Sequence, residues 1–220
     1  MTRRPRLLTT AAAGAMSALL LAGCGGGGDD DASKPKDKIA GADTDDTASP
    51  SPTAPDPSTA DRPKIEMPAD LSYTFDWPKT GNKDKDAVLS DSEQSIKAVD
   101  LAILNQDPLD KAYRFYYEGG AAAQTQQFIK AYVKAKARTT GAYRYYEPVV
   151  NISGSGNASL VYCEDQGKAY DLYLETKKVD KTPVTKNSYV LYSSQLYKND
   201  KGVWVIQKLM AVRGNSKCQP

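Results

Sequence analysis

All 14 tyrosines lie between Tyr73 and Tyr197, whereas the stretch from Gly25 to Arg62 holds almost no aliphatic or aromatic side chain. Only buried apolar area offsets the entropy of ordering a backbone, so this distribution restricts folding to the later part of the chain. Residues 63–220 are expected to form one domain, long enough for a substantial single core. Residues 24–62 read Gly25 to Gly28, then Asp29-Asp30-Asp31, then a Ser/Thr/Pro/Ala/Asp-rich run. Such a composition predicts a disordered tether, which as a flexible coil of about 40 residues would span roughly 35 Å.

The first 23 residues carry an address. Arg3, Arg4 and Arg6 precede an apolar run from Leu7 to Ala22, too short and Ala-rich for a membrane span, which is the pattern of a secretory signal. Leu21-Ala22-Gly23-Cys24 resembles a bacterial lipobox, in which the cysteine becomes the lipidated first residue of the exported chain. The expectation is therefore a lipoprotein held by acyl chains on Cys24 at the extracytoplasmic face of the membrane. The long tether suits a Gram-positive envelope. Arg3-Arg4 leaves the export route open between the general and the twin-arginine systems.

Charge and chemistry narrow the function. The net charge of +2 averages a tether with nine acidic and four basic residues and a domain with 18 acidic and 22 basic ones. There is no dense basic run, so a nucleic-acid partner is not expected. The chain has no histidine. That excludes Ser-His-Asp and Cys-His catalysis and His-ligated metal or haem, and neither a metal constellation nor a phosphate loop is read; no cofactor is expected.

Within the domain, Leu71 to Trp77 alternates as a short strand or extended arm. Ser90 with Glu93 matches a capping box, and Ile96, Val99 and Ile103 follow at helical spacing, predicting a helix over 91–106. Asp107-Pro108 predicts the start of a second helix with Leu109, Ala112, Tyr113 and Tyr116 on one face, ending at Gly119-Gly120. A third is expected over 121–138, with Thr125, Phe128, Ile129, Tyr132 and Val133 in one stripe, closed by Gly141. Lys130, Lys134 and Arg138 form a basic row on it. The period then becomes two, predicting strands over 143–152, 158–165, 170–177, 188–198 and 203–213, with turns at 153–157, Gln166-Gly167 and 199–202. Helices followed by strands imply an α+β fold, three N-terminal helices packed on a curved antiparallel sheet of four to six strands.

That element order, together with Gly202-Val203-Trp204 at the opening of the last strand and a cysteine just past its end, resembles the nuclear transport factor 2-like superfamily. More narrowly it is similar to exported actinobacterial lipoproteins with that cone-shaped, cystatin-like fold. The resemblance covers about residues 88–218. It implies a cone that hosts small isomerases and dehydratases as well as binding modules; catalytic members typically pair an Asp with a His, which this chain lacks.

If Cys24 is lipidated, Cys163 and Cys218 remain as a pair, expected to form a disulfide outside the cytoplasm. The polar strand residues proposed as ligand-binding are Arg144, Tyr146, Glu147, Asp171, Tyr173 and Tyr192, with Glu164 and Asp165 also read as strand-end and turn residues. Asp171 and Tyr173 fit a solvated sheet face equally well. The leading expectation is a non-catalytic module binding a small apolar ligand or an envelope protein. The alternatives are a His-free isomerase or hydrolase with a carboxylate and tyrosine site, and a structural partner of an envelope complex.

Overall fold

The computed structural model describes residues 61–220; the signal segment, Cys24 and most of the tether lie outside the described residues. The element order is β1 (Leu71–Phe75), α1 (Lys83–Leu104), α2 (Lys111–Tyr116), α3 (Gly119–Ala135), β2 (Ala137–Ser153), β3 (Asn157–Tyr173), β4 (Val179–Asp180), β5 (Tyr189–Lys198) and β6 (Trp204–Arg213). The fold is α+β, with the helices packed on a curved six-stranded sheet ordered β1-β2-β3-β5-β6 and β4 appended to β3. All pairings are antiparallel except β1 with β2, so the sheet is mixed rather than antiparallel throughout. The reason lies in the connection. The whole three-helix run links β1 to β2, and a crossover of that length returns the chain to the same end of the sheet, as a parallel pair requires.

Local chemistry moved several boundaries. Helix α1 starts at Lys83, two turns before the expected capping box, because the Asn82 side chain accepts from the N–H groups of Asp84 and Lys85, and Asp84 and Asp86 suit the helix dipole. Ser90 and Glu93 sit inside it. Asp110, not Asp107, caps α2, and Leu109 is left exposed in the preceding turn. Gly119-Gly120 opens α3 instead of stopping α2. Lys136 in the left-handed region ends α3, so Gly141 falls within β2. There its φ of +97° and the Lys168 carbonyl, 2.2 Å from where a Cβ would sit, admit no side chain. Gln166-Gly167 is a bulge inside one 17-residue β3, so the two strands expected over 158–177 are a single strand. A second bulge falls at Glu147-Pro148 on β2, where Glu147 has φ +52°, and a third at Gln207 on β6. These bulges bend long strands around the helices.

The core joins Val88, Ala98 and Ile103 of α1, Tyr113 and Tyr116 of α2 and Ile129 of α3 to Tyr145, Leu160, Leu196 and Trp204 of the sheet. Of the expected α3 stripe, Thr125 and Ile129 are buried, but Phe128 is exposed. Beneath α1, buried Asp91 accepts from Arg62 Nε at 2.8 Å and Arg62 Nη2 at 3.1 Å, and from the Trp204 backbone N–H at 2.9 Å. One carboxylate thus ties the first described residues to the start of the last strand. Cys163 and Cys218 form a disulfide that pins the C-terminal turn to the outer face of β3. Among the described residues no helix is long and apolar enough to cross a membrane.

Candidate functional site

Strand register divides the sheet into two faces. Thr139, Tyr143 and Tyr145 of β2, Asp171, Glu164 and Tyr162 of β3, and Tyr192 of β5 lie toward the helices. Rings from these strands and from β1 pack in a continuous series. Tyr73 stacks on Tyr143 at 6.0 Å, Tyr143 on Tyr145 at 6.2 Å, and Phe75 on Tyr145 at 4.8 Å. Tyr145 then meets Tyr162 edge-on at 6.0 Å, and Tyr162 stacks on Tyr192 at 5.1 Å. Strand propensity alone favours aromatic residues here, since each ring packs on a pleated, largely buried surface.

Two buried carboxyls stand among these rings. Asp100 of α1 accepts from Tyr73 Oη at 2.8 Å and from Thr139 Oγ1 at 2.8 Å. Glu164 of β3 accepts from Tyr145 Oη at 2.9 Å on one oxygen and from the Gln166 amide on the other. The amide is itself oriented by Arg213, whose Nη1 donates to Gln166 Oε1 at 2.7 Å. Burial disfavours the charged form of both, against the pull of these donors. It raises the Asp100 carboxyl to about 6 and the Glu164 carboxyl to about 7. Burial likewise drives the phenols of Tyr143, Tyr145, Tyr162 and Tyr192 well above their ordinary range. Chemically, the arrangement can take up and release protons over about pH 6 to 7. Each carboxyl oxygen already has a protein donor.

The residues singled out from the sequence fall on both faces. Asp171 points inward and accepts from Tyr132 Oη of α3 at 2.9 Å, so it is not on the solvated face. Tyr192 is in the ring series, and Tyr173 shares the inner register of Asp171 at the end of β3. Arg144 and Tyr146 lie on the outer face. The Arg144 guanidinium sits 4.7 Å over the Tyr146 ring and pairs with Asp76 at 2.6 Å, while the Tyr146 hydroxyl donates to the Cys218 carbonyl. Glu147 is exposed in its bulge. Asp165 turns back on its own strand, accepting from the Gly167 N–H at 2.7 Å. Arg138 pairs with Asp70 at 2.7 Å from β2, so the basic row expected on α3 loses its last member.

The sequence placed Glu164 among the polar strand residues, with a second reading as a strand-end residue that kept it out of the ligand-binding set, and Asp100 was passed over. The signal available was the alternation of Glu164 with Tyr162 on one face of β3, hidden by reading Gln166-Gly167 as a turn. For Asp100, helical spacing from Ile96 and Ile103 put an acidic residue on the apolar side of α1. A separate surface cleft of about 250 Å³ is lined by Pro78, Thr80, Lys85, Leu89 and Val149.

No family model matches this chain, and no curated protein matches it. Solved structures similar to it include a nuclear transport factor 2-like superfamily protein from Salmonella enterica, 11% identical, covering 59% of this chain and 92% of that one with a TM-score of 0.40. A domain of unknown function with a cystatin-like fold from Nostoc punctiforme is 18% identical over 61% of this chain and 79% of that one, with a TM-score of 0.36. A putative ketosteroid isomerase from Shewanella frigidimarina is 13% identical over 57% of this chain and 94% of that one, with a TM-score of 0.30.

Proposed function

We propose that this chain is an exported lipoprotein of an actinobacterial-type envelope, anchored by acyl chains on Cys24, whose folded domain is a non-catalytic module that binds an envelope protein. The observation that carries the reading is the packed ring series from Phe75 to Tyr192, in which Asp100 and Glu164 are each bonded on both oxygens by the protein's own donors. An interior engaged in this way serves as core, and recognition falls to the outer surfaces. The anchor rests on the signal pattern and on Leu21-Ala22-Gly23-Cys24.

A second reading, a His-free enzyme, draws support from the same carboxyls. A buried acid that titrates near 7 beside tyrosine hydroxyls is suited to proton transfer. Glu164→Gln, tested for rescue of a strain that lacks the protein, separates the two. The binding reading expects full rescue by a folded variant; loss of rescue with a folded, membrane-bound variant favours the enzyme. Cys24→Ala is expected to move the protein from the membrane fraction to the medium. Retention of that variant in the membrane would remove the anchor from the proposal.

A further inference from the structure

The pairing of β6 with β5 runs in unbroken register from Lys208 opposite Gln195 to Arg213 opposite Val190, and the Gly214 N–H donates to the Tyr189 carbonyl at 2.8 Å. Hydrogen-bonded and non-hydrogen-bonded pairs alternate along an antiparallel ladder. Lys208, Met210 and Val212 therefore turn their backbone groups toward β5, and Leu209, Ala211 and Arg213 turn theirs away from the sheet. Upstream, this outer edge is covered: the Glu118 N–H donates to the Ile206 carbonyl at 3.0 Å, and the Gln207 carbonyl faces Gly119 at the start of α3. Downstream of Gln207, no group among the described residues pairs with the outward backbone N–H and C=O of Leu209, Ala211 and Arg213. From Lys208 to Arg213 every residue but Leu209 is exposed, with Met210 at 62% and Val212 at 42%. Edge strands are ordinarily guarded by charge, proline or a bulge. Here the bulge at Gln207 and the charges of Lys208 and Arg213 stand at the two ends, and the stretch between them reads Leu209-Met210-Ala211-Val212.

We propose that this edge pairs with the same edge of a second copy of the chain, antiparallel about a two-fold axis at Ala211, so that two sheets become one. The register is set by backbone parity. Centring on Ala211 sets Leu209 opposite Arg213 of the second copy and Ala211 opposite Ala211, so all three outward residues of each copy meet outward residues. A slip of one residue would set outward groups against inward ones. The side chains suit the same register. Met210 falls opposite Val212 twice, closing a four-residue apolar cluster on the outer face, where both are now exposed. Ala211 needs no room against itself. Lys208 meets Gly214 and Arg213 meets Leu209, so no like charges face one another. This complementarity of the edge with itself argues for a second copy over a foreign peptide.

The test uses the full chain in its own membrane. In an antiparallel hydrogen-bonded pair the two Cα atoms at position 211 stand about 5.5 Å apart, within disulfide reach. Ala211→Cys under mild oxidation is therefore expected to give a covalent dimer at least tenfold more abundant than Lys130→Cys, exposed on α3, or the unsubstituted chain. Ala211→Lys, which places a charge at the axis, is expected to raise the dimer dissociation constant at least tenfold in sedimentation while leaving the melting temperature unchanged. Cross-linking of Ala211→Cys no greater than the Lys130→Cys control, capture of a different protein at position 211, or unaltered sedimentation of Ala211→Lys would each overturn the proposal.

Discussion

Tyr145 donates a 2.9 Å hydrogen bond to a Glu164 carboxyl that is buried in the interior with its proton held to about pH 7. Asp100, buried on the helix side, holds its own to about pH 6. The folded state thus binds protons that the unfolded chain releases at ordinary carboxylate pH. Stability from both groups is full below that range and is lost as pH rises through about 6 and 7. Asp70 and Asp86 run the other way. Hydrogen bonds from Arg138 and from Thr80, respectively, lower them, so their contribution is lost as pH falls. Stability in chemical denaturation is expected to peak on the acid side of neutrality and decline toward pH 8. Glu164→Gln should flatten that decline and raise stability at pH 8 by about 2 kcal/mol. A variant with the same pH profile as the parent would show that Glu164 does not titrate in this range.

Buried Asp91 accepts from the Arg62 guanidinium and the Trp204 backbone N–H, and truncating it removes these bonds from the interior. Breaking a buried pair from one side costs about 3–5 kcal/mol. Asp91→Ala should lower the urea midpoint accordingly without changing the slope. Asp91→Asn, which keeps an acceptor for Trp204, should lose less.

At Gly141 both the positive φ and the Lys168 carbonyl oppose a side chain, whereas Gly154 has positive φ with open space around it. Gly141→Ala should cost about 3 kcal/mol or more, and Gly154→Ala about 1 kcal/mol. Melting temperatures of the two variants check the difference. Equal losses would show that β2 yields at Gly141.

The Cys163–Cys218 bridge spans a sequence separation of 55 residues and holds the C-terminal turn against β3. Loop-closure entropy assigns such a bridge about 4 kcal/mol. Cys218→Ser, or reduction of the native protein, should lower the free energy of unfolding by that amount, with a correspondingly lower denaturant midpoint, and expose Tyr146, whose hydroxyl donates to the Cys218 carbonyl. Retention of the full midpoint on reduction would locate the stabilisation elsewhere.

The order of helices then strands was legible because each element carries its own period. Ile96, Val99 and Ile103 at helical spacing and alternation along Leu71 to Trp77 needed no distant partner to be read. The boundaries that moved were those decided by competition between neighbouring caps. Asn82 outcompeted Ser90 because it begins the helix two turns earlier at no loss of apolar contact, and Gly119-Gly120 suits the close approach of α3 to the Gln207 carbonyl as well as it suits a stop. The site was less legible. Arg144 and Asp171 read alike as polar strand residues, yet the bulge at Gln166-Gly167 sets the register that turns Asp171 toward Tyr132.

By itself the amino-acid sequence determined where the core lies, since outside the apolar run from Leu7 to Ala22 the large apolar and aromatic residues are concentrated after Arg62. It also determined the fold class, through periods that are properties of single segments. Only the tertiary structure decided the parallel pairing of β1, the burial of Asp100 and Glu164 among tyrosines, the clasp of Asp91 on Arg62 and Trp204, and the uncovered edge of β6. Those features depend on register and on contacts between residues far apart in the chain. A one-residue shift inverts a strand's faces while leaving its composition unchanged.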